Sequence, residues 1–189
     1  DRCFSPKCAM LRRAYAPGPQ KKRRGGSPSE YKKSLDEKQT LKKWYGLSER
    51  QFASYVKKTL AKMGKVDDVS AELIRKLEKR LDNVIFRLGF AKSRWQSRQL
   101  VSHGYFLING KPVNMPSYEI KKGDVVTIKE HKKAKGALKG LADELKRKEV
   151  PAWLSLNKEK LEAKTIGEPN LEEVNPPAEI SLIFEFYSR

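Results

Sequence analysis

Arginine and short polar side chains recur through residues 80–111 at spacings that suit phosphate binding. Arg94 and Arg98 are four residues apart, so both lie on one face of a helix. Arg80 and Arg87 are seven residues apart, a spacing that also keeps two side chains on one face. A guanidinium group bonds two phosphate oxygens at once, and short polar groups reach ribose hydroxyls. The pattern therefore predicts a surface for a sugar-phosphate backbone; a solvated basic face without a ligand is the alternative.

A second cationic feature is the run from Lys21 to Arg24, which lies among prolines and glycines that prevent regular structure. A phosphate backbone would order such a segment by neutralising it; a solvated linker or a localisation signal is the alternative. Tyr118 joins the candidates as a stacking or packing residue. The predicted RNA-binding residues are Arg80, Arg87, Ser93, Arg94, Arg98, Gln99, His103, Asn109, Lys111, Tyr118, Lys21, Lys22, Arg23 and Arg24.

Catalytic chemistry is not indicated by the sequence. It contains no Walker loop, dinucleotide fingerprint or nucleophile elbow. His103 ends a predicted helix beside Arg98, a position that favours phosphate or ribose contact over general-base work. Asp82 is expected to pair with an arginine. We therefore predict no catalytic residue and no enzyme activity.

The two cysteines, Cys3 and Cys8, are the only thiols of the chain. Two cysteines are too few for a disulfide-stapled secreted fold, which favours a reducing compartment. The pair could share one Zn²⁺, but a structural zinc site takes four ligands, and His103 and His131 lie far along the chain. From these residues alone, a partial metal site and two free thiols are equal alternatives.

The charge of the chain restricts its partners. Its 189 residues carry 41 Lys and Arg against 23 Asp and Glu, a net charge of +18. Residues 1–43 have a net charge of +9, residues 44–148 have +13, and residues 149–189 have −4. Such a protein is expected to bind polyanions, and its acidic C-terminal segment, residues 149–189, is expected to point away from them. The apolar runs are too short for a membrane span, and we expect neither a membrane anchor nor a secretory leader.

Helical signals dominate the first half of the sequence. Ser48 and Gln51 form a capping box at the start of one helix. A longer helix is predicted from Ser70 to Gly89, and Ser93 with Gln96 begins a third.

Strand signals follow Gly104. The dipeptide Asn109-Gly110 is a strong two-residue hairpin signal, and Val125 to Ile128 is a β-branched strand. The expected fold class is α+β: a mostly helical N-terminal domain, an extended basic N-terminal arm, and a small module of two helices packed on a twisted antiparallel sheet.

The motifs between Arg80 and Asp124 resemble a known RNA-binding module, the one named after ribosomal small-subunit protein four. The resemblance continues into the flanks and covers essentially the whole chain, which resembles the bacterial-type ribosomal protein family itself. Trp95, Ser97 and Tyr105 depart from the usual pattern of that family. The motifs that carry the resemblance are the run 80–90, Ser93-Arg94, Arg98 to Val101, His103-Gly104, Ile108 to Gly110, Pro116 to Tyr118, Gly123-Asp124, the flank 37–52, Trp153-Leu154 and the terminal run 183–189.

The resemblance implies a structural, non-enzymatic constituent of the small ribosomal subunit. Such a protein binds small-subunit (16S-type) rRNA directly, nucleates assembly of the 5′ domain and contributes to translational accuracy. The resemblance also implies that the protein contacts neighbouring small-subunit proteins near the side where mRNA enters. It further implies a cytoplasmic location on the ribosome and no membrane partner. The alternative is an RNA-modification or ribosome-rescue factor that uses the same module.

Four segments are expected along the chain. Residues 1–29 form the basic arm, and residues 30–79 form a helical domain completed by C-terminal residues. Residues 80–135 form the RNA-binding module, and residues 136–189 form a C-terminal helix and acidic tail that pack back.

The resemblance also bears on zinc. Many bacterial members of the family carry a second cysteine pair upstream, and the four cysteines together bind zinc. The resemblance therefore implies that Cys3 and Cys8 are a half-site for Zn²⁺, conditional on upstream cysteines in a longer protein.

Overall fold

The computed structural model of the chain describes residues 8–13, 15, 18, 27–64, 66, 68–133, 138, 141, 145 and 149–188. The chain divides into two units, Asp1–Met63 with Pro176–Arg189 and Gly64–Asn175, which we call unit 1 and unit 2. Unit 2 begins at residue 64 and extends to residue 175, so it is larger than the expected module at 80–135. Among the described residues, no helix has both the length and the apolar composition that a membrane span requires.

Unit 1 is helical in the part that the structure describes. Its helices are α1 (Ala9–Arg12), α2 (Glu30–Trp44), α3 (Glu49–Leu60) and α9 (Ile180–Ser188). The N-cap predicted at Ser48 is confirmed, because the Ser48 side chain accepts a hydrogen bond from the Gln51 backbone N–H at 3.3 Å, one of the two bonds that define a capping box.

Helix α9 packs on α2 and α3 in unit 1 and buries Ile183 there. Side chains from α2 and α9 converge on one carboxylate, that of Glu49 in α3. Lys38 and Lys42 each bring Nζ within 2.9 Å of that carboxylate, and the Tyr187 hydroxyl donates to Oε1 at 2.7 Å. Lys38 is buried and lies 4.5 Å from the centroid of the Phe186 ring. The last helix is thereby bound to the first half of the chain.

Unit 2 contains the other described helices and the whole described sheet. Its helices are α4 (Val69–Glu78), α5 (Leu81–Arg87), α6 (Arg94–Ser102), α7 (Glu130–Lys133) and α8 (Leu171–Val174). Its strands are β1 (Phe106–Ile108), β2 (Lys111–Val113), β3 (Val125–Ile128), β4 (Leu154–Asn157) and β5 (Glu162–Thr165).

The long helix predicted from Ser70 to Gly89 is wrong, because the chain breaks between α4 and α5. Arg80 is extended there, with φ −65° and ψ 136°. The Leu81 N–H donates to the Tyr118 carbonyl at 2.8 Å, and the Ile120 N–H donates to the Lys79 carbonyl at 2.9 Å. A segment about 40 residues downstream thus takes the hydrogen bonds that a continuous helix would have made within itself.

The sheet of unit 2 has the order β2-β1-β3-β5-β4, and all of its neighbouring strands are antiparallel. The predicted hairpin is confirmed: Asn109 (φ 50°) and Gly110 (φ 78°) both have positive φ, as a two-residue type I′ turn requires. Helices α5 and α6 share one hydrophobic core with this sheet, in which the rings of Phe90 and Phe106 lie 6.1 Å apart. The predicted α+β architecture is confirmed.

The C-terminal segment contributes more sheet than expected. Leu154–Asn157 and Glu162–Thr165 form a second hairpin that pairs with β3 through β5. The acidic tail is also engaged within unit 2, since Glu168 bonds Lys79 at 2.6 Å and Arg75 at 3.1 Å. The hydrogen bond from Lys79 lowers the pKa of Glu168.

The contacts of Glu49 predict a pH dependence of stability. Burial of this carboxylate raises its pKa, but hydrogen bonds from Lys38, Tyr187 and Lys42 outweigh that effect and lower the pKa from 4.5 to about 2. A group with a lowered folded-state pKa stabilises the fold above its unfolded pKa and loses that contribution as the pH falls. We expect the difference in unfolding free energy between wild type and Glu49→Gln to be largest above about pH 5 and to shrink towards pH 2.

Urea unfolding followed by circular dichroism at a series of pH values measures this difference. Tyr187→Phe serves as the matched variant, because it removes one hydrogen bond and leaves the carboxylate with its two lysines. A difference between wild type and Glu49→Gln that is the same across this pH range would contradict the prediction.

Candidate nucleic-acid interface

Two of the arginines that the sequence singled out converge on a buried carboxylate, Asp82, in the first turn of α5. Arg80 donates to Asp82 through Nε at 3.1 Å and through Nη2 at 2.8 Å. Arg98 on α6 donates to the Asp82 Oδ2 atom through Nε at 3.1 Å and Nη2 at 2.9 Å. The predicted pairing of Asp82 with an arginine is confirmed, and this carboxylate holds two guanidinium groups at once.

A second buried carboxylate, Glu78 at the end of α4, holds the next arginine. Its side chain is fully buried and accepts from the Nε and Nη2 atoms of Arg87, both at 2.9 Å. The same carboxylate accepts from the Asn83 side-chain amide at 2.7 Å, and Asn83 in turn accepts from the Nε of Arg94 at 2.8 Å. The Arg94 guanidinium also lies 4.5 Å from the centroid of the Phe86 ring.

These seven side chains form two groups, one around Asp82 and one around Glu78, and the Asn83 backbone N–H joins them by donating to the Asp82 Oδ1 atom at 2.9 Å. We call them together the arginine network. Three of its four guanidinium groups bond one of its two carboxylates, and the fourth, that of Arg94, bonds the Asn83 amide oxygen, so the network keeps an excess of two positive charges. Pairing of this kind is what allows charges to be buried, because an unpaired buried charge is very unfavourable. The members are Glu78, Arg80, Asp82, Asn83, Arg87, Arg94 and Arg98.

The arginines of the network differ in what they present to a ligand. The sequence predicts that Arg80 binds RNA at the surface, together with Arg87. Arg80 is only 3 % exposed, and its guanidinium group faces Asp82 instead of solvent. The side chains of Arg87 and Arg98 are 20 % and 23 % exposed. Arg80 therefore acts as a support for Asp82, whereas Arg87 and Arg98 keep an edge at the surface.

The hairpin end of the sheet carries a separate group of polar residues. Asn109 donates to the Asp124 carboxylate at 2.8 Å and accepts from the Val125 N–H at 2.9 Å, so its side chain joins two turns. Lys111 and Lys122 are exposed beside these turns. The Asn109 side chain therefore has a structural role, because it connects these two turns. The exposed lysines beside it are charged groups available to a polyanion.

Helix α6 places the remaining candidates. The Ser93 hydroxyl caps the helix by accepting from the Gln96 N–H at 3.2 Å. Gln99 and His103 are exposed further along the helix and at its end. Tyr118 is half-buried and packs against the core, so its contacts favour the packing role over stacking.

Sequence reasoning missed Glu78 and Asn83 as members of the network, and it named Trp95 only as a departure from the family pattern. Glu78 and Asn83 carry no local signal, because their partners come from other helices. Trp95 does carry one: it lies outside the apolar positions of α6, and its side chain is 68 % exposed.

The N-terminal candidates lie mostly outside the described residues, namely Lys21 to Arg24 and Cys3. Cys8 is described and buried. Within the described part of the chain, no group of three or more His, Cys, Asp or Glu residues lies close enough together to hold a metal ion.

Comparisons with known proteins give the family. A family model described as the ribosomal protein S4/S9 N-terminal domain matches residues 2–78, and one described as the S4 domain matches residues 79–126. The whole chain is 46 % identical to small ribosomal subunit protein uS4 of Desulfitobacterium hafniense and covers 89 % of that relative. This chain belongs to the uS4 family. Similar relatives named uS4 occur in Thermus thermophilus and Thermotoga maritima, each at 42 % identity with all of this chain and 89 % of the relative covered.

For this uS4-family chain, the S4-domain match begins at residue 79, beside the break that follows α4. The arginine network is therefore built almost wholly from residues within that match, with Glu78 at its edge. The hairpin of β4 and β5, which extends the sheet, lies beyond the end of the match.

Removal of the Asp82 carboxylate is expected to destabilise unit 2. Asp82→Ala takes this charge partner away from the buried Arg80 guanidinium, which costs about 3–5 kcal/mol of unfolding free energy. The matched control is Glu130→Ala in the same unit, which removes an 86 % exposed carboxylate paired with Lys133 and should cost less than about 1 kcal/mol. Urea unfolding measures both, and equal losses in the two variants would exclude a special role for Asp82.

Proposed function

We propose that this chain is a structural constituent of the small ribosomal subunit and binds small-subunit rRNA directly. The observation that carries the proposal is the order of the two family matches. The S4 domain follows the N-terminal domain of a ribosomal protein, so nearly all of the first 126 residues correspond to one known arrangement. The alternative of an RNA-modification or ribosome-rescue factor is not favoured, because residues 2–78 match a ribosomal domain.

The proposed mechanism is electrostatic. A chain with a net charge of +18 releases condensed counterions when its cations neutralise phosphates, and this release drives binding. The arginine network supports the mechanism, because Arg87 and Arg98 are held in place by buried carboxylates before RNA arrives. Little side-chain entropy is then lost on binding, and the geometry of the guanidinium edges can select the shape of an RNA junction.

The finer roles are proposed from the family resemblance. They are nucleation of the 5′ domain during subunit assembly, contact with neighbouring proteins near the side where mRNA enters, and a contribution to translational accuracy. Lys21 to Arg24 would extend the interface as an arm that follows the phosphate backbone. No step in this proposal uses a catalytic residue.

Charge reversal at Arg98 would be a poor test of the interface, because a glutamate there would face Asp82 and destabilise the fold. Exposed lysines avoid this problem. We expect the double variant Lys111→Ala with Lys122→Ala to weaken rRNA binding. The slope of log affinity against log salt should become shallower by about 0.7–0.9 for each phosphate that the variant no longer neutralises.

Filter binding of the purified chain to a small-subunit 5′-domain rRNA transcript over a range of salt concentrations gives this slope. The control is Lys160→Ala, which removes an exposed charge in the turn between β4 and β5, at the other end of the sheet. A slope that changes equally for Lys160 and for the hairpin lysines would argue against the assignment of this surface.

Zinc binding at Cys3 and Cys8 is a further part of the proposal. Two thiolates supply half of a tetrahedral site, and burial of Cys8 suits a structural ligand. The family resemblance assigns the other two ligands to a second cysteine pair of a longer protein. We expect the longest natural form of the protein to bind zinc and the variant Cys3→Ser with Cys8→Ser to lose it. Metal analysis of both decides the matter, and a zinc content well below one equivalent in the natural form would remove the proposal.

A further inference from the structure

Trp95 is the most exposed tryptophan of the described residues, although indole is a large apolar group. Its side chain is 68 % exposed, whereas Trp153 is 3 % exposed. The buried side of α6 consists of Ser97, Leu100 and Val101. At about 100° per residue, Trp95 lies on the opposite side of the helix from these three. Packing in the core of unit 2 therefore does not explain why a tryptophan occupies position 95.

The surroundings of Trp95 are cationic and fixed. The Arg98 guanidinium lies 5.7 Å from the centroid of the indole ring and is held by Asp82 at 2.9 Å. Gln99 is exposed one turn after Trp95 on the same outer face. An aromatic face is thus combined with a charged group that suits phosphate and an amide that suits a base edge or a ribose hydroxyl.

We propose that Trp95 is a stacking platform for an unpaired base of the RNA, with the adjacent phosphate at Arg98. This inference rests on the proposed function and adds a residue and a type of ligand to it. Bases in a continuous A-form stem offer no free face, so the ligand is a nucleotide in a loop, bulge or junction. Stacking tolerates any base, because each has a π-face, and it uses an aromatic side chain with few rotatable bonds.

Three variants at this position separate stacking from simple apolar contact. Trp95→Ala removes the ring, Trp95→Leu keeps an apolar side chain without a π-face, and Trp95→Phe keeps an aromatic face. We expect the alanine and leucine variants to bind the 5′-domain transcript about 5- to 100-fold more weakly, and the phenylalanine variant to stay close to wild type. The salt slope should be the same in all four proteins, because stacking releases no counterions.

The readouts are filter binding over a range of salt concentrations and, as a check on folding, thermal unfolding followed by circular dichroism. The exposed position of Trp95 predicts that all three variants keep the unfolding temperature of wild type. Unchanged affinity in Trp95→Ala, or equal affinity of the leucine and phenylalanine variants, would overturn the stacking proposal. So would a defect that appears only when other ribosomal proteins are present, which would indicate a protein contact.

The same experiment distinguishes this inference from the proposed function. If the wild-type chain binds the transcript with a steep salt slope and the Trp95 variants match it, only the stacking proposal fails. If the wild-type chain shows no salt-dependent binding to rRNA, the proposed function fails and the stacking proposal with it.

Discussion

The pairing of the Asp82 carboxylate with Arg80 and Arg98 is the interaction on which unit 2 depends. A charged group with a side chain that is 5 % exposed must be compensated by partners, and here two guanidinium groups compensate it. The Asp82 backbone N–H also donates to the Pro116 carbonyl at 3.1 Å. One residue therefore connects the break after α4, the loop before β3 and helix α6, which is why a break in the helix is stable at this point.

The same pairing shapes the candidate interface. Compensation by Asp82 and Glu78 removes part of the positive charge that the sequence places on these helices, and it buries Arg80. In return, the guanidinium groups of Arg87 and Arg98 have fixed positions. A rigid cation loses less entropy on binding than a flexible one, so fewer cations at defined places can recognise the shape of a folded RNA.

Unit 1 uses a comparable arrangement around Glu49. This carboxylate lies at the start of α3, where it binds Lys38 from α2 and Tyr187 from α9. The burial of Tyr187 and the charge of Glu49 raise the pKa of the tyrosine, which keeps its hydroxyl a donor. The contact spans 138 residues of sequence and makes the C-terminal helix part of the N-terminal unit.

The sequence by itself determined the local features of this protein. The helix N-caps at Ser48 and Ser93 and the hairpin at Asn109-Gly110 depend on residues within a few positions of one another, and all three are present in the structure. The α+β class and the family follow from the same local patterns taken in order along the chain.

Only the tertiary structure decided which charged residues are surface groups and which are supports. Arg80 and Arg98 look alike in sequence, yet one is buried and the other keeps an exposed edge, because their burial depends on the distant segment 115–120 and on packing between helices. The break after α4 and the addition of β4 and β5 to the sheet have the same origin. Hydrogen bonds between segments tens of residues apart outweighed local helix propensity, and no local pattern contains that information.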